Sequence, residues 1–415
     1  MAADRISELP DHIVSHILSF LPTKLAATTT ILSKRWKSVW HSVLTLDFDD
    51  QTFKDFDSLT NFIISTMSSR DIKLPIHSFT FKCVNESSPY DLKVLNLCVI
   101  LAVQYGKLEN LSLHMPLHSI VKGLRNPNVI HLSPYIFSCK TLQVLDLNCL
   151  ILKDISFQPL DLPLLKTLRW DVVLFKSINH VIELLSSCPI LEELHVRYSV
   201  FVDTTIPEQN NLKALPNLVK ASMHTPFYPS TLLTLLSGVK NLHLETNEVI
   251  ISCTEFPIFY NLTSIELIFI YKDQTVPEKS KLVWLLKFLK HCPKLQNITI
   301  QDCDDGDQSD IFDKYLKDDP IVPTCLSSQL KTFCLIGFKG TENELKFLTY
   351  IIQNSKVIQT MTVSSTGSAV FYKEKTYTID KNQINQILMK LSSSGFTTWK
   401  FVFDRCVNYV ILDIL

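Results

Sequence analysis

The sequence predicts an α/β chain in three parts: a short three-helix segment, a solenoid with a parallel sheet on its concave face, and an atypical C-terminal cap. Three observations predict it. A spacing of apolar residues, Leu-x-x-Leu-x-Leu, recurs from Val43 to Phe396. Stretches of helical period fall between its copies. The first forty-odd residues carry closely spaced helix starts and stops in a piece too small to enclose a comfortable core of its own.

The opening helices come first. Leu9-Pro10 starts helix one, because proline is tolerated where the amide hydrogen is unpaired in any case. Ile13, Val14, Ile17, Leu18 and Leu21 recur at helical spacing and form one broad apolar face. Pro22 ends that helix, and Thr23 and Ser33 are the expected N-caps of the next two. Trp36 and Trp40 lie four apart and share a face of helix three. Surface of this kind must meet the rest of the chain or a partner.

These residues resemble the F-box. The Ile6-x-x-Leu9-Pro10 opening, the Ile17-Leu18-x-x-Leu21-Pro22 stretch and the Leu32-Ser33-Lys34-Arg35-Trp36-x-x-x-Trp40 close carry the resemblance, with Val39 where leucine is common. The resemblance implies docking on a Skp-type adaptor and, through it, a cullin scaffold. It places Leu9, Pro10, Ile13, Ile17, Leu18, Leu21 and Pro22 at or near that contact, with Trp36 and Trp40 bracing or touching the adaptor.

The repeats begin at Val43, Ile76, Leu108, Leu142, Leu165, Leu191, Leu218, Val239, Leu262, Leu295 and Leu330, with weaker copies at Ile358 and Phe396. The second and third apolar positions are two apart, as a strand buried on one face requires. Helical segments are expected over residues 91–104, 178–185, 281–289 and 342–352. Strand plus helix, repeated, stacks into a solenoid. The copies resemble the degenerate leucine-rich repeats that accompany F-boxes in plant proteins. Residues between the leucines form the expected partner face, with Asp146, Arg169, Glu193, His195, His243, Glu266 and Asn297 as its candidate contacts. Their mixed polarity suits a protein surface better than one compact ligand.

Near the end, Cys325-Leu-Ser-Ser-x-Leu330-Lys331-x-Phe333, Gly337-Phe338-x-Gly340, Glu344-Leu345, Tyr350, Asn354 and Met361 resemble the FBD motif of the same plant proteins. Read physically, this is a strand, a glycine turn, an amphipathic helix and another strand, and capping of the solenoid is its expected role. The chain thus divides into residues 1–42, 43–319 and 320–415.

Composition narrows the function. Acidic and basic residues nearly balance at a net charge of −1, which gives no reason to expect nucleic acid or an anionic membrane as partner. Only 8 glycines occur, too few for glycine-rich phosphate loops, and the standard nucleotide-binding, hydrolase and zinc-protease motifs are missing from the sequence. No signal peptide is visible, so the 11 cysteines read as reduced thiols in the cytoplasm or nucleus. Cys139, Cys188 and Cys292 each stand three residues before a repeat leucine, a phase that points to packing. The acidic run from Gln301 to Asp310 fails as a calcium loop, since Phe312 replaces the closing glutamate. His12 and His16 offer at most half a metal site. No catalytic, cofactor or metal site is expected.

Taken with the resemblances, this implies a non-catalytic subunit of a Skp–cullin–F-box ubiquitin ligase that holds an unknown target protein. The other reading open to the sequence is a leucine-rich-repeat scaffold that binds the Skp-type adaptor but delivers no substrate.

Overall fold

The computed structural model describes residues 6, 8–71, 74–84, 92–105, 107–116, 132, 134–152, 159–203, 212–224, 230–246, 255–269, 281–301, 309–339, 341–364 and 399–402. The chain forms two compact units, Met1–Glu208 and Gln209–Leu415.

The first unit opens with α1 (Asp11–Leu18), α2 (Thr23–Thr28) and α3 (Lys34–His41). Pro10 stands immediately before α1, where its missing N–H costs no helical bond. Ser33 caps α3 by accepting from the Trp36 amide. Thr23 does not act as a cap. It is the first residue of α2, and its buried hydroxyl accepts from the Asp47 amide at 2.5 Å, tying the helices to the first strand.

The strands of this unit are β1 (Thr45–Asp49), β2 (Ser78–Lys82), β3 (Asn110–His114), β4 (Val144–Asn148), β5 (Ile151–Leu152), β6 (Thr167–Ser177) and β7 (Glu193–Asp203). All pairings are parallel, and β1 to β4, then β6 and β7, lie side by side in chain order, with the short β5 also on β6. Among the described residues three α-helices occur between them: α4 (Phe56–Ser69), α5 (Leu92–Tyr105) and α6 (Ile178–Ser186). In α4 the Asp55 carboxylate accepts from the Ser58 amide at 2.8 Å, and Leu59, Ile63 and Thr66 form its buried stripe.

The second unit continues the same grammar. Its strands are β8 (Lys220–His224), β9 (Asn241–Thr246), β10 (Ser264–Phe269), β11 (Asn297–Gln301), β12 (Thr332–Ile336), β13 (Thr360–Ser364) and β14 (Trp399–Val402), each parallel to the next. Its helices are α7 (Ser230–Leu236), α8 (Lys281–Lys290), α9 (Ser309–Asp318), α10 (Thr324–Ser328) and α11 (Glu342–Asn354).

Each repeat start predicted from Val43 to Ile358 lies two residues before a strand, and the apolar pair that follows lies within it; Phe396, the start of the last weak copy, lies outside the described residues. Leu145 and Leu147 of β4, Leu194 and Val196 of β7, and Ile298 and Ile300 of β11 are all buried. Cys139, Cys188 and Cys292 are buried as expected, and their carbonyls accept from the amides of Leu142, Leu191 and Leu295 in the turn before each strand. The helices predicted over 178–185, 281–289 and 342–352 form, as does the one over 91–104 from Leu92 onward, and α4, α7, α9 and α10 are further helices between strands.

Two further departures have physical causes. The repeat spacing marks only one apolar pair per strand, yet β6 and β7 run for 11 residues each. They stay paired across a kink in which Cys149, Val172 and Tyr198, at one level of three successive strands, have φ of 54°, 51° and 49°. The left-handed region costs about 1–2 kcal/mol per non-glycine residue. Beyond the kink the alternation changes phase, so Val173, Leu174 and Phe175 are all buried, and Trp170 Nε1 donates to Ser199 Oγ across it at 2.9 Å. The second departure concerns the FBD-like segment. β13 carries β14 on its far side, where the sequence places its weak copy beginning at Phe396, so the strands of residues 320–363 are not the last of the sheet.

Candidate functional site

The three opening helices enclose a small core of Val14, Leu18, Ala26, Val39, Trp40 and Val43, with Leu9, Ala27 and Trp36 packed against it. Leu18 is 1% exposed. Its side chain, like that of Trp40, therefore holds the helices together and does not face outward. Trp36 is half-buried on the same core, which makes it a brace. The Arg35 guanidinium reaches back to Asp11 at 2.7 Å and to the Leu9 carbonyl, closing α3 onto the start of α1.

The outer surface is unlike that of an ordinary soluble helix cluster. Ile6, Ile13, Ile17, Phe20, Leu21, Leu25, Ile31 and Leu32 are all exposed, with Phe20 at 74% and Ile31 at 86%. Single exposed apolar side chains need no explanation, but eight over residues 6–32 do. Of the contact residues expected from the sequence, Pro10, Ile13, Ile17, Leu21 and Pro22 are exposed, Leu9 is half-buried, and Leu18 and Trp40 are inside. Sequence reasoning missed Phe20, Leu25, Ile31 and Leu32. Phe20 follows the end of α1, in a turn where its amide donates to the Ile17 carbonyl, and Ile31 ends a short 3-10 turn, so helical periodicity could not assign a face to either.

The candidate partner face separates between the two units. In the first, Asp146, Arg169 and His195 stand side by side on β4, β6 and β7. Arg169 pairs with Glu193 at 3.4 Å, His195 lies 3.6 Å from the same carboxylate, and His114 lies 3.4 Å from Asp146. These residues are half-exposed and already partnered. In the second unit, His243, Glu266 and Thr299 stand side by side on β9, β10 and β11, with Asn297 exposed at the start of β11. His243 Nδ1 is 2.9 Å from Glu266.

Burial pushes Cys188 and Cys325 up to about 12 and Cys98 and Cys149 up to about 11, so they stay protonated near neutrality. Among the described residues no helix is long and apolar enough to cross a membrane.

The FBD-like segment is framework. α10, β12, α11 and β13 bury Cys325, Leu326, Leu330, Phe333, Phe338 and Phe347. Gly337, at φ 78°, makes the turn after β12 in a conformation that favours glycine. Thr341 and Glu344 form a capping box on α11, and the buried Glu344 carboxylate also accepts from the Lys339 amide at 3.0 Å.

A three-helix docking segment leading into a parallel leucine-rich sheet is the architecture of an F-box protein with leucine-rich repeats. The F-box domain family matches residues 6–47, and the FBD family matches residues 320–363. The F-box/FBD/LRR-repeat protein At4g00160 of Arabidopsis thaliana is 30% identical over 463 residues, covering 100% of this chain and 97% of its own length. From the same organism, the F-box/FBD/LRR-repeat protein At3g52680 is 30% identical over 410 residues, covering 88% and 86%. The FBD-associated F-box protein At4g10400, also from Arabidopsis, is 27% identical over 409 residues, covering 87% and 93%. The chain belongs to the F-box/FBD/LRR-repeat family. Members of this family are in general adaptors of the Skp–cullin–F-box type and are typically non-catalytic.

Proposed function

We propose that this chain is the target-recognition subunit of a Skp–cullin–F-box ubiquitin ligase, acting inside the cell in the cytoplasm or nucleus. One observation carries the reading: eight exposed apolar side chains over residues 6–32 surround a small core that is already complete without them. Ile13, Ile17, Phe20, Leu21, Leu25 and Ile31 bury their surface on a Skp-type adaptor, which links the chain to a cullin. The polar sheet face, with Asp146, Arg169, Glu193 and His195 in one unit and His243, Glu266 and Asn297 in the other, receives a target protein. The chain transfers nothing itself. Holding the target near the ubiquitin-charged enzyme raises the effective concentration of an acceptor lysine, the same gain that any tether supplies.

The test is co-elution of the purified full chain with a Skp-type adaptor. Phe20→Asp combined with Ile31→Asp leaves the helical circular-dichroism signal intact and abolishes co-elution, since buried aromatic and aliphatic anchors dominate such contacts. Undiminished co-elution of a folded double variant would overturn the assignment of this surface.

A further inference from the structure

The second unit gathers a donor set that the sequence conceals. His224 ends β8, and Glu245 stands opposite it near the end of β9, with His243 two residues before Glu245 on the same face. One donor atom from each of His224, His243 and Glu245 lies within 4.8 Å of the other two. His224 Nδ1 is 2.6 Å from Glu245 Oε1, and the two imidazole rings lie 4.3 Å apart between centroids.

The remaining nitrogens are held in a way that sorts their roles. Ser222 Oγ is 2.7 Å from His224 Nε2, which leaves Nδ1 turned toward Glu245. Glu266 Oε2 is 2.9 Å from His243 Nδ1, which leaves Nε2. That Nε2 is buried and has no hydrogen-bond partner among the described residues, an arrangement that costs free energy unless something binds it. Metal-ligating histidines characteristically have their second nitrogen engaged by a carboxylate or another oxygen, which orients the ring and sets its tautomer.

We propose that His224 Nδ1, His243 Nε2 and Glu245 Oε1 bind a divalent first-row transition cation, Zn²⁺ in particular, with Ser222 and Glu266 as the outer partners that orient the two rings. Two imidazoles and one carboxylate suit Zn²⁺, whereas Ca²⁺ and Mg²⁺ require oxygen ligands in greater number. Donors around tetrahedral zinc lie about 3.4 Å apart, given bonds of about 2.0–2.2 Å, so the three side chains need to move by roughly an ångström to converge. Three protein ligands leave a fourth position for water or for a donor group of a bound protein. The cation bridges β8 and β9 on the exposed face of the sheet. The competing account is two plain hydrogen-bonded pairs, His224 with Glu245 and His243 with Glu266, which bind no metal.

The full chain, stripped by a chelator, is titrated with Zn²⁺ by calorimetry and with Co²⁺ by visible absorption. The expected result is one equivalent with a Co²⁺ spectrum of low-coordinate type. His243→Ala, His243→Gln and Glu245→Gln each weaken Zn²⁺ binding about 100-fold or more, and Glu266→Gln weakens it about 10-fold, the outer-partner effect. Ca²⁺ and Mg²⁺ do not compete. Zn²⁺ binding weaker than about 100 µM overturns the proposal. So does an affinity that none of these substitutions changes, with circular dichroism showing each variant folded. Adaptor co-elution is read separately, because failure there bears on residues 6–32 and not on this cluster.

Discussion

Residues 6–47 and residues 320–363 are segments of nearly equal length with opposite use of their apolar residues. The first keeps eight large apolar side chains in solvent around a core of six buried residues. The second exposes only Ile321 and Val357 among its large apolar residues and buries Leu330, Phe333, Phe338, Phe347, Leu348, Ile351 and Met361, together with the charged Glu344. A recognisable motif can thus describe a surface or an interior. In the F-box much of the pattern describes exposed apolar surface. In the FBD it describes how a strand, a left-handed glycine and a capped helix lock into the neighbouring repeats, which makes the segment framework first.

The comparison can be broken by paired substitutions. Phe333→Ala, at a fully buried position, costs about 3–5 kcal/mol in urea unfolding. Phe20→Ala, at an exposed one, changes stability by no more than about 0.5 kcal/mol while it weakens adaptor binding. Equal stability losses in both would erase the distinction. A finer probe of the interior is Glu344→Gln. It removes the charge from a buried acceptor of backbone hydrogen bonds and is expected to cost about 1.5–3 kcal/mol, seen as a lower urea midpoint.

The smallest effect is a pH dependence of the repeat cores. Burial holds the Cys188 thiol up to about 12, whereas an unfolded thiol ionises near 8.5. The folded state therefore keeps a proton that the unfolded state releases. Stability from this group is fully present below about pH 8.5 and falls at higher pH, by up to about 1.4 kcal/mol per unit. Cys188→Ala flattens the decline between pH 7.5 and 9.5, and an unchanged slope would show that the thiol does not contribute.

Much of the fold was legible because its signal is local. Leu142, Leu145 and Leu147 are close in sequence, and period-two burial follows from strand geometry alone. The same holds for Ser33 as a cap and for Cys188 as packing. Other features depended on neighbours remote in the chain. Ile17 and Leu18 are adjacent on α1, yet one is exposed and the other is inside, because α3 folds back over only one side of the helix. Thr23 reads as a cap until β1 arrives beside it. The kink at Cys149, Val172 and Tyr198 needs three strands to share it, and none of these residue types announces a left-handed backbone.

The sequence by itself determined the repeat register, the buried face of each strand and the presence of a docking segment, since each rests on periodicity within a few residues. Only the tertiary structure decided which apolar helix residues stay outside, that β6 and β7 run on through a shared kink, and that His224 meets Glu245. Those outcomes depend on parallel strand pairing across intervals of about twenty residues or more, where contact is set by register and cannot be read from local spacing.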